Sequence, residues 1–407
     1  MTITDINIAV IGLGYVGLPL LALLSKKYEC WGLDKDSQRI KYIQCLNKKK
    51  ENKDLDYINC NKLSTSWDDI KQSNVFIITV PTPIDSNYNP DNSSLIDVCK
   101  ELGSIISRNS IIIFESTVHP GATEELCIPI IEEISSLKVN KDFWVGYSPE
   151  RINVNDKFHQ LSNTPKIISA TDKKALEIME LIYKSIIDAP ILKASNVKVA
   201  EAAKMYENVQ RDVLIALANE FSEYCHSENI HISEVTALAS TKWNFAEVYP
   251  GLVGGHCIGV DPYYLLHRAK ELNVSLPIVN MARCVNESKC EYSSNNICEY
   301  IRETISESKD IRILILGFSY KANCDDIRNT KVFNLIEHLS KSYKNIDCFD
   351  PLVDSNLVLK EYNLPIFSNM CEVNFNIYDI LIVAVKHKEF ENITNNYKNV
   401  IFLNDFL

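Results

Sequence analysis

The amino-acid sequence predicts an α/β protein with two doubly wound parallel sheets joined by a central helical segment. Two observations support this prediction. At both ends of the chain, short apolar runs alternate with amphipathic segments, a pattern typical of parallel strands connected by helices. Between them, residues 196–227 contain no Gly or Pro and keep apolar side chains at helical spacing, which predicts one long helix. We place three domains at residues 1–190, 191–300 and 301–407.

The individual elements follow from the same patterns. Apolar runs predict buried strands at 6–12, 30–34, 75–80 and 111–116, and again at 311–320, 345–351, 379–387 and 400–405. Amphipathic segments predict helices at 15–27, 36–47 and 93–107. The long helix is expected to pack against helices within 230–240 and 262–300 and to serve as the spine of a homodimer.

Composition limits the classes of function. The 407 residues are 46% hydrophobic and 23% charged, as in ordinary globular proteins. A net charge of −11 argues against general nucleic-acid binding. The sequence opens without a leader-like segment and contains no run of 18 apolar residues, so we expect no membrane span and a cytoplasmic protein. Its 13 scattered cysteines are then expected to be reduced thiols.

The segment GLGYVG at residues 12–17 follows the first predicted strand and opens a helix. Its first glycine permits a tight turn, the second allows a pyrophosphate to approach, and the third lets helix and strand pack closely. Asp34 ends the next strand, where a carboxylate binds a ribose diol and repels a 2′-phosphate. This predicts NAD in a Rossmann-like domain. The predicted contacts are Gly12, Gly14, Tyr15, Val16, Gly17 and Asp34.

Two further pairs of residues are candidates for binding or chemistry. Thr82 and Thr117 each follow a predicted strand, at the sheet edge where open α/β sheets bind ligands; ordinary turn chemistry is the alternative. Lys204 and Asn208 lie four residues apart on one helix face and together suit a developing oxyanion; a solvated helix face is the alternative.

The segment GLVGGHCIGVD at residues 251–261 contains a thiol among glycines. A structural role as a small apolar side chain is one interpretation of Cys257. Zinc binding with His256, Asp261 and His267 lacks the usual ligand spacing. A Cys–His hydrolase is disfavoured because adjacent residues of an extended loop point in opposite directions. In an NAD-binding protein, a thiol can instead trap an aldehyde as a thiohemiacetal, which loses a second hydride to become a thioester.

Six motifs occur in the order found in the UDP-glucose/UDP-mannuronate dehydrogenase family, which the chain resembles over nearly its whole length. They are GLGYVG (12–17), ESTVHPG (115–121), SPER (148–151), EAAKMYEN (201–208), GGHCIGVDPYY (254–264) and YKANCDDIRNT (320–330). The resemblance implies oxidation of the C6 hydroxyl of a UDP-sugar to a carboxylate with two NAD.

The resemblance also implies roles for individual residues. Cys257 would be the nucleophile, Lys204 and Asn208 the oxyanion donors, Asp261 and Thr117 the residues that position water, and Glu150 an aid to thioester hydrolysis. Arg328 would reach the cofactor. Implied substrate contacts are Glu150, Arg151, Lys204, Asn208, Tyr249, Gly251, Gly254, Tyr320, Lys321 and, from the neighbouring subunit, Lys242.

Departures from the pattern of UDP-glucose enzymes indicate the substrate. Val260 replaces a lysine and Val154 replaces a second glutamate, while SPERIN and STKWNF resemble the branch acting on UDP-N-acetylhexosamines. We expect UDP-N-acetylglucosamine, with UDP-N-acetylgalactosamine next, for capsule or O-antigen precursors. Alternatives are UDP-N-acetylmannosamine or UDP-glucose, a two-electron dehydrogenase of the 6-phosphogluconate type, and a non-catalytic NAD-binding protein.

Overall fold

The computed structural model describes residues 5–49, 53–152 and 158–407. The chain divides into two compact units. The first comprises Met1–Glu207 and Tyr263–Leu272, and the second comprises Asn208–Pro262 and Asn273–Leu407. The three domains bounded near residues 190 and 300 stay a prediction.

The first unit is built on a doubly wound sheet. Its strands are β1 (Asn7–Ile11), β2 (Glu29–Leu33), β3 (Leu63–Ser64), β4 (Val75–Ile78), β5 (Ile111–Phe114), β6 (Trp144–Tyr147), β7 (Lys166–Ala170) and β8 (Ile191–Lys193). Its helices include α1 (Gly17–Leu24), α2 (Ser37–Lys49), α3 (Ser93–Ile105), α4 (Ile128–Ser135) and α5 (Lys173–Lys184). The four strands and three helices predicted here are confirmed.

The strand order of this sheet is β3-β2-β1-β4-β5-β6-β7-β8, with every pair parallel except β6 and β7. Both faces are covered: Ile8 and Val10 pack in one core layer, Ala9 and Ile11 in the other. Sequence patterns did not predict β3, β6, β7 and β8. Two reasons are physical: β3 is only two residues long, and β8 lies largely exposed, so neither forms an apolar run.

Four helices make up the central segment. They are α6 (Val197–Ser227), α7 (Ile232–Ala239), α8 (Asp261–Glu271) and α9 (Pro277–Thr304). The predicted long helix is confirmed as α6. The helices expected within 262–300 are α8 and α9, which are separated where Asn273 takes a left-handed conformation and Pro277 starts a new helix. Within the second unit, α6 and α9 are joined by buried ion pairs and hydrogen bonds, such as Arg283 with Asp212.

The second unit carries a smaller parallel sheet. Its strands are β9 (Arg312–Leu316), β10 (Asn345–Phe349), β11 (Ile380–Val383) and β12 (Val400–Phe402), in the order β10-β9-β11-β12. Its helices are α10 (Lys331–Ser340), α11 (Ser355–Tyr362) and α12 (Glu391–Asn396). All four predicted strands are confirmed. In each sheet the chain first adds strands on one side of the first strand and then continues on its other side. Open α/β sheets bind ligands at the carboxyl edge of such a topological switch point.

Within the described ranges, no helix combines the length and apolar character needed to cross a bilayer.

Candidate active site

The glycine loop lies at the carboxyl end of β1. Gly12 has a φ of +90°, which a residue with a side chain rarely adopts, and a Cβ on Gly17 would collide with the Gly12 carbonyl oxygen. Next to Gly14, by contrast, no atom of the described residues other than those of its chain neighbours lies within 4 Å of the position a Cβ would take. The N-cap residue of α1, Val16, makes no side-chain capping hydrogen bond. A close-packed turn with an open side and an uncapped helix start fits a dinucleotide phosphate.

Asp34 follows β2, next to this loop. Its carboxylate accepts hydrogen bonds from the backbone amides of Leu13 (2.8 Å) and Asp36 (2.9 Å), so its position is fixed by the loop itself. Half-buried and anchored, it is placed at the strand end expected of a ribose ligand.

Thr82 and Thr117 follow β4 and β5, which are neighbours in the sheet. The Thr82 hydroxyl donates to the Thr117 carbonyl oxygen at 2.7 Å, so the two strand-end loops are joined directly. Both side chains are partly exposed at the carboxyl edge of the sheet.

Glu150 lies in a buried charge cluster. Glu115 follows β5, Glu150 lies just beyond β6, and Lys166 starts the antiparallel β7, so all three meet at one sheet edge. The Lys166 ammonium is 2.9 Å from Glu115 and 2.8 Å from Glu150, and the Tyr183 hydroxyl donates to Glu115. We name these four residues the buried charge cluster.

Electrostatics in the buried charge cluster follow from burial and pairing. Burial opposes the charge of each group, yet the two carboxylates raise the pKa of Lys166, and its ammonium lowers the pKa of Glu150. Burial and the neighbouring Glu150 raise the pKa of Glu115. The backbone amides of Arg151 and Ile152 also donate to Glu150. The Glu150 carboxylate is therefore held by several donors.

Arg151 is engaged within the first unit. Its guanidinium pairs with Glu207 on α6, with an Nη2–Oε1 distance of 2.7 Å, and also donates to the Pro165 carbonyl.

Helix α6 presents Lys204 and Asn208 one turn apart. Lys204 is only 7% exposed, unlike a residue of a solvated helix face. One turn earlier, the buried Glu201 accepts from the amides of Gly121 and Thr123, which ties α6 to the loop after Thr117. In the second unit, the Asn208 side-chain amide donates to the buried Asp261.

The cysteine loop does not have the extended conformation that the sequence analysis assumed. Residues 255–260 form consecutive turns, and the Cys257 carbonyl accepts the amides of Val260 (3.0 Å) and Asp261 (2.9 Å) at the start of α8. The prediction of an extended loop was wrong because glycines allow tight turns as readily as extension. Cys257 is partly exposed, whereas most of the other cysteines are buried.

Neighbouring residues of the second unit hold this loop. Gly255 has a φ of +77°, and a Cβ there would lie 2.9 Å from the Tyr320 ring. Gly255 also exchanges hydrogen bonds with Asn329, while the buried Asn219 side chain pairs with both the amide and the carbonyl of Gly251. A Cβ on Gly254 would lie just as close to the Asn329 carbonyl oxygen.

The remaining predicted residues also have defined surroundings. The Arg328 guanidinium binds Asp326, and its Nη2 lies 3.4 Å from a His256 ring nitrogen, so His256 faces this ion pair.

The Lys321 ammonium lies 5.5 Å from the centre of the Tyr320 ring. Tyr249 donates to Glu247, and Lys242 is exposed after α7. Across the described residues, no cluster of metal-ligating side chains is present.

Family models match this chain in three consecutive stretches. Residues 6–187 match the NAD-binding domain of the UDP-glucose/GDP-mannose dehydrogenase family, residues 198–288 its central domain, and residues 314–404 its UDP-binding domain. The chain belongs to this family. It is thus an NAD-dependent nucleotide-sugar dehydrogenase, which confirms the predicted family, enzyme class and cofactor and sets aside the 6-phosphogluconate type and the non-catalytic protein.

Known dehydrogenases of this family cover almost the whole chain. The UDP-N-acetyl-D-glucosamine 6-dehydrogenase of Salmonella typhi is 41% identical over 96% of this chain and 92% of the relative. That of Pseudomonas aeruginosa is 40% identical over 95% and 92%. The structure of the UDP-D-ManNAc dehydrogenase from Pyrococcus horikoshii matches with a TM-score of 0.86 and 31% identity, covering 99% of this chain and 96% of that one.

Sequence reasoning did not identify the partners of the dehydrogenase's site residues. Lys166, Asn219 and Asp350 belong to none of the motifs, and Glu115 opens ESTVHPG but was assigned no role; charges at the ends of apolar strands were a usable signal for Lys166, Glu115 and Asp350. The Val154 substitution lies outside the described residues. The roles assigned to individual site residues stay predictions.

Proposed function

We propose that this dehydrogenase oxidises the C6 hydroxyl of a UDP-N-acetylhexosamine, with UDP-N-acetylglucosamine the preferred substrate, to the uronate through an acyl-cysteine. One observation carries the proposal: Cys257 is a partly exposed thiol in a loop that Asn219, Asn329 and Tyr320 hold in place. A cysteine that only fills the core would be buried and would not require a loop anchored by these contacts.

The proposed reaction removes four electrons from the sugar in two oxidations. The alcohol loses a hydride and a proton to give an aldehyde, and the Cys257 sulfur adds to its carbon to give a thiohemiacetal. Loss of a second hydride and proton gives a thioester, and water then releases the carboxylate and regenerates the thiol. Bound NAD supplies the chemistry of hydride acceptance in both oxidations.

Residues of the chain have separate tasks in this proposal. Lys204 and Asn208 donate hydrogen bonds to the oxygen that gains negative charge when sulfur or water adds to the carbonyl. Asp261, which orients the Asn208 amide, and Thr117 position the hydrolytic water. Glu150 aids this step, with its carboxylate kept ionised by Lys166.

Binding of the two nucleotides uses the carboxyl edges of the two sheets. The glycine loop, with Tyr15 and Val16, holds the NAD pyrophosphate, Asp34 the ribose, and Thr82 the nicotinamide side. Tyr320 and Lys321 hold the uridine diphosphate, and Arg328 reaches toward the cofactor. Further substrate contacts come from Arg151, Tyr249, Gly251 and Gly254.

The choice of an N-acetylated sugar is supported by the names of the two relatives and by Val260. This side chain is buried and apolar at the position where UDP-glucose enzymes carry a lysine. UDP-N-acetylmannosamine is the second candidate, because the Pyrococcus horikoshii enzyme carries that name.

Initial rates with UDP-GlcNAc, UDP-GalNAc, UDP-ManNAc and UDP-glucose test the substrate. We expect kcat/KM with UDP-GlcNAc to exceed that with UDP-glucose at least tenfold, or about 1.4 kcal/mol, with two NADH formed per sugar. The highest kcat/KM with UDP-ManNAc would establish the second candidate, and a preference for UDP-glucose would refute the proposal.

We further propose that the protein is a homodimer built on α6. The second unit leaves large apolar side chains exposed on and after α6, α7 and α9, which would be costly in a monomer. They include Leu217, Phe221, Tyr224, Leu238, Trp243, Ile278 and Met281. Trp243 is 92% exposed and directly follows Lys242, so Lys242 is suited to reach the partner subunit's site.

Introducing a charge among these exposed apolar side chains tests the dimer. We expect Leu217→Asp to convert the dimer to a monomer in size-exclusion chromatography with light scattering, because the buried charge would be unpaired. Leu359→Asp, at an exposed leucine of α11, is the matched control and should leave the mass unchanged. A wild-type monomer at micromolar concentration would disprove the dimer.

A further inference from the structure

Asp350 and His387 form a fully buried pair at the carboxyl edge of the second sheet. Asp350 directly follows β10, and His387 lies four residues after β11. Because β9 runs between these two strands, the loop that follows β9 is flanked by both residues. The His387 Nε2 lies 3.0 Å from the Asp350 Oδ2, and both side chains are 0% exposed.

This pair holds the loop of residues 318–323 at both ends. At one end, the amides of Phe318 (2.7 Å) and Ser319 (3.1 Å) donate to Asp350. At the other end, the Asn323 amide donates to the His387 Nδ1 at 2.8 Å. Because Nδ1 accepts a hydrogen bond, the ring proton sits on Nε2 and is donated to Asp350.

The loop held in this way carries Tyr320 and Lys321. The Tyr320 ring packs on Gly255, two residues before Cys257, so the position of this loop also bears on the cysteine loop of the same unit. Asn323 itself has a φ of +56°, and its side-chain oxygen accepts the Lys388 amide at 3.0 Å. Each contact fixes the backbone from which Tyr320 and Lys321 project.

A purely structural hydrogen bond between the two residues would be the simpler explanation, but the other hydrogen bonds indicate a second role for His387. Asp350 also accepts the amide of Leu352 at 2.9 Å, so three backbone amides satisfy it without His387. Burial opposes its charge, yet the contact with His387 and the hydrogen bonds from backbone amides keep the pKa of Asp350 below its usual value. The Asn323 amide, in contrast, depends on His387.

We propose that His387, oriented by Asp350, is a positioning residue that fixes the loop 318–323 for the diphosphate part of the substrate. The inference rests on the proposed function, in which Tyr320 and Lys321 bind the uridine diphosphate.

Two isosteric variants separate the contacts of His387. The amide oxygen of His387→Asn takes the place of Nδ1 and keeps the acceptor for the Asn323 amide. His387→Gln places a donor near Nε2, keeps the contact with Asp350, and leaves the Asn323 amide unpaired. We expect UDP to bind His387→Gln at least tenfold more weakly than wild type by calorimetry. His387→Asn should remain within about threefold, and the Kd of NADH should be unchanged in both.

The outcomes discriminate between explanations. Equal UDP affinity in both folded variants, or equal weakening of UDP and NADH, would overturn the positioning role. Wild-type protein that fails to bind UDP would instead refute the proposed function. If either variant does not fold, His387→Ala supplies the test, because Asp350 keeps its three backbone donors while the Asn323 amide loses its acceptor. It should weaken UDP binding at least threefold; an unchanged Kd would overturn the role.

Discussion

Replacing Cys257 with alanine is expected to abolish uronate formation, with a loss of at least about 10³-fold in kcat. Without sulfur, no acyl intermediate can form, so oxidation stops at one NADH per sugar at most. UDP-sugar and NAD should still bind, because their proposed ligands lie on other residues. Counting NADH per sugar, together with calorimetry of UDP binding, measures both effects.

Cys257→Ser is expected to stall at a different point. A serine hydroxyl is a weaker nucleophile, and an oxygen ester hydrolyses more slowly than a thioester, so any acylated protein should accumulate. Intact-protein mass spectrometry after incubation with substrate and NAD detects the added sugar acid. The matched control is Cys371→Ala, at an exposed cysteine, which should keep full turnover. Two NADH per sugar from Cys257→Ala at near the wild-type rate would show that the thiol is structural.

Lys166→Met is expected to produce the largest loss of stability. It removes the only ammonium that the structure places between Glu115 and Glu150 in the described chain, leaving two carboxylates buried together. Breaking such a buried pair costs about 3–5 kcal/mol, measurable as a lower urea midpoint. Lys184→Met, which removes an exposed ion pair with Glu180 on the same unit, should leave the urea midpoint nearly unchanged, because solvent screens that pair.

The pH dependence of stability should also shift in this variant. In wild type, the pKa of Glu150 is lowered on folding, so its contribution is present above its unfolded pKa and is lost as pH falls through its folded pKa, while the raised pKa of Glu115 acts in the opposite direction. In Lys166→Met, burial and the repulsion between the Glu115 and Glu150 carboxylates raise the pKa of one of them above its unfolded value, so the folded state binds the extra proton. Stability should then rise as pH is lowered from 8 toward the unfolded carboxyl pKa. A variant as stable as wild type, with the same pH profile, would contradict this account.

Local patterns were enough to predict the fold class. The runs that became β1, β4, β5 and β9 are short, apolar and bounded by turn residues, because a strand covered on both faces needs apolar side chains at every position. Elements without that requirement escaped prediction. Strand β8 is largely exposed and β3 is two residues long, so their pairing depends on neighbours distant in the sequence.

The glycine loop and the cysteine loop show the same division at the site. Residue type and spacing singled out Gly12 and Gly17, because a tight turn and a close approach each require glycine, and they made Cys257 a candidate nucleophile. They did not reveal that residues 255–260 fold into turns, or that Asn219 and Tyr320 hold them. Those contacts join residues separated by 32 positions or more, and no local pattern encodes them.

The sequence by itself determined the α/β class, the family and the cofactor, and it supplied the candidate residues for the reaction, since these depend on residue type and spacing along one strand, turn or helix. Only the tertiary structure decided which charges are paired. Lys166 meets Glu115 and Glu150 because β7 runs antiparallel to β6. His387 meets Asp350 because β10 and β11 run parallel on the two sides of β9 and end at the same edge of the sheet. Sheet order and strand direction bring these groups together, and both are properties of the assembled fold.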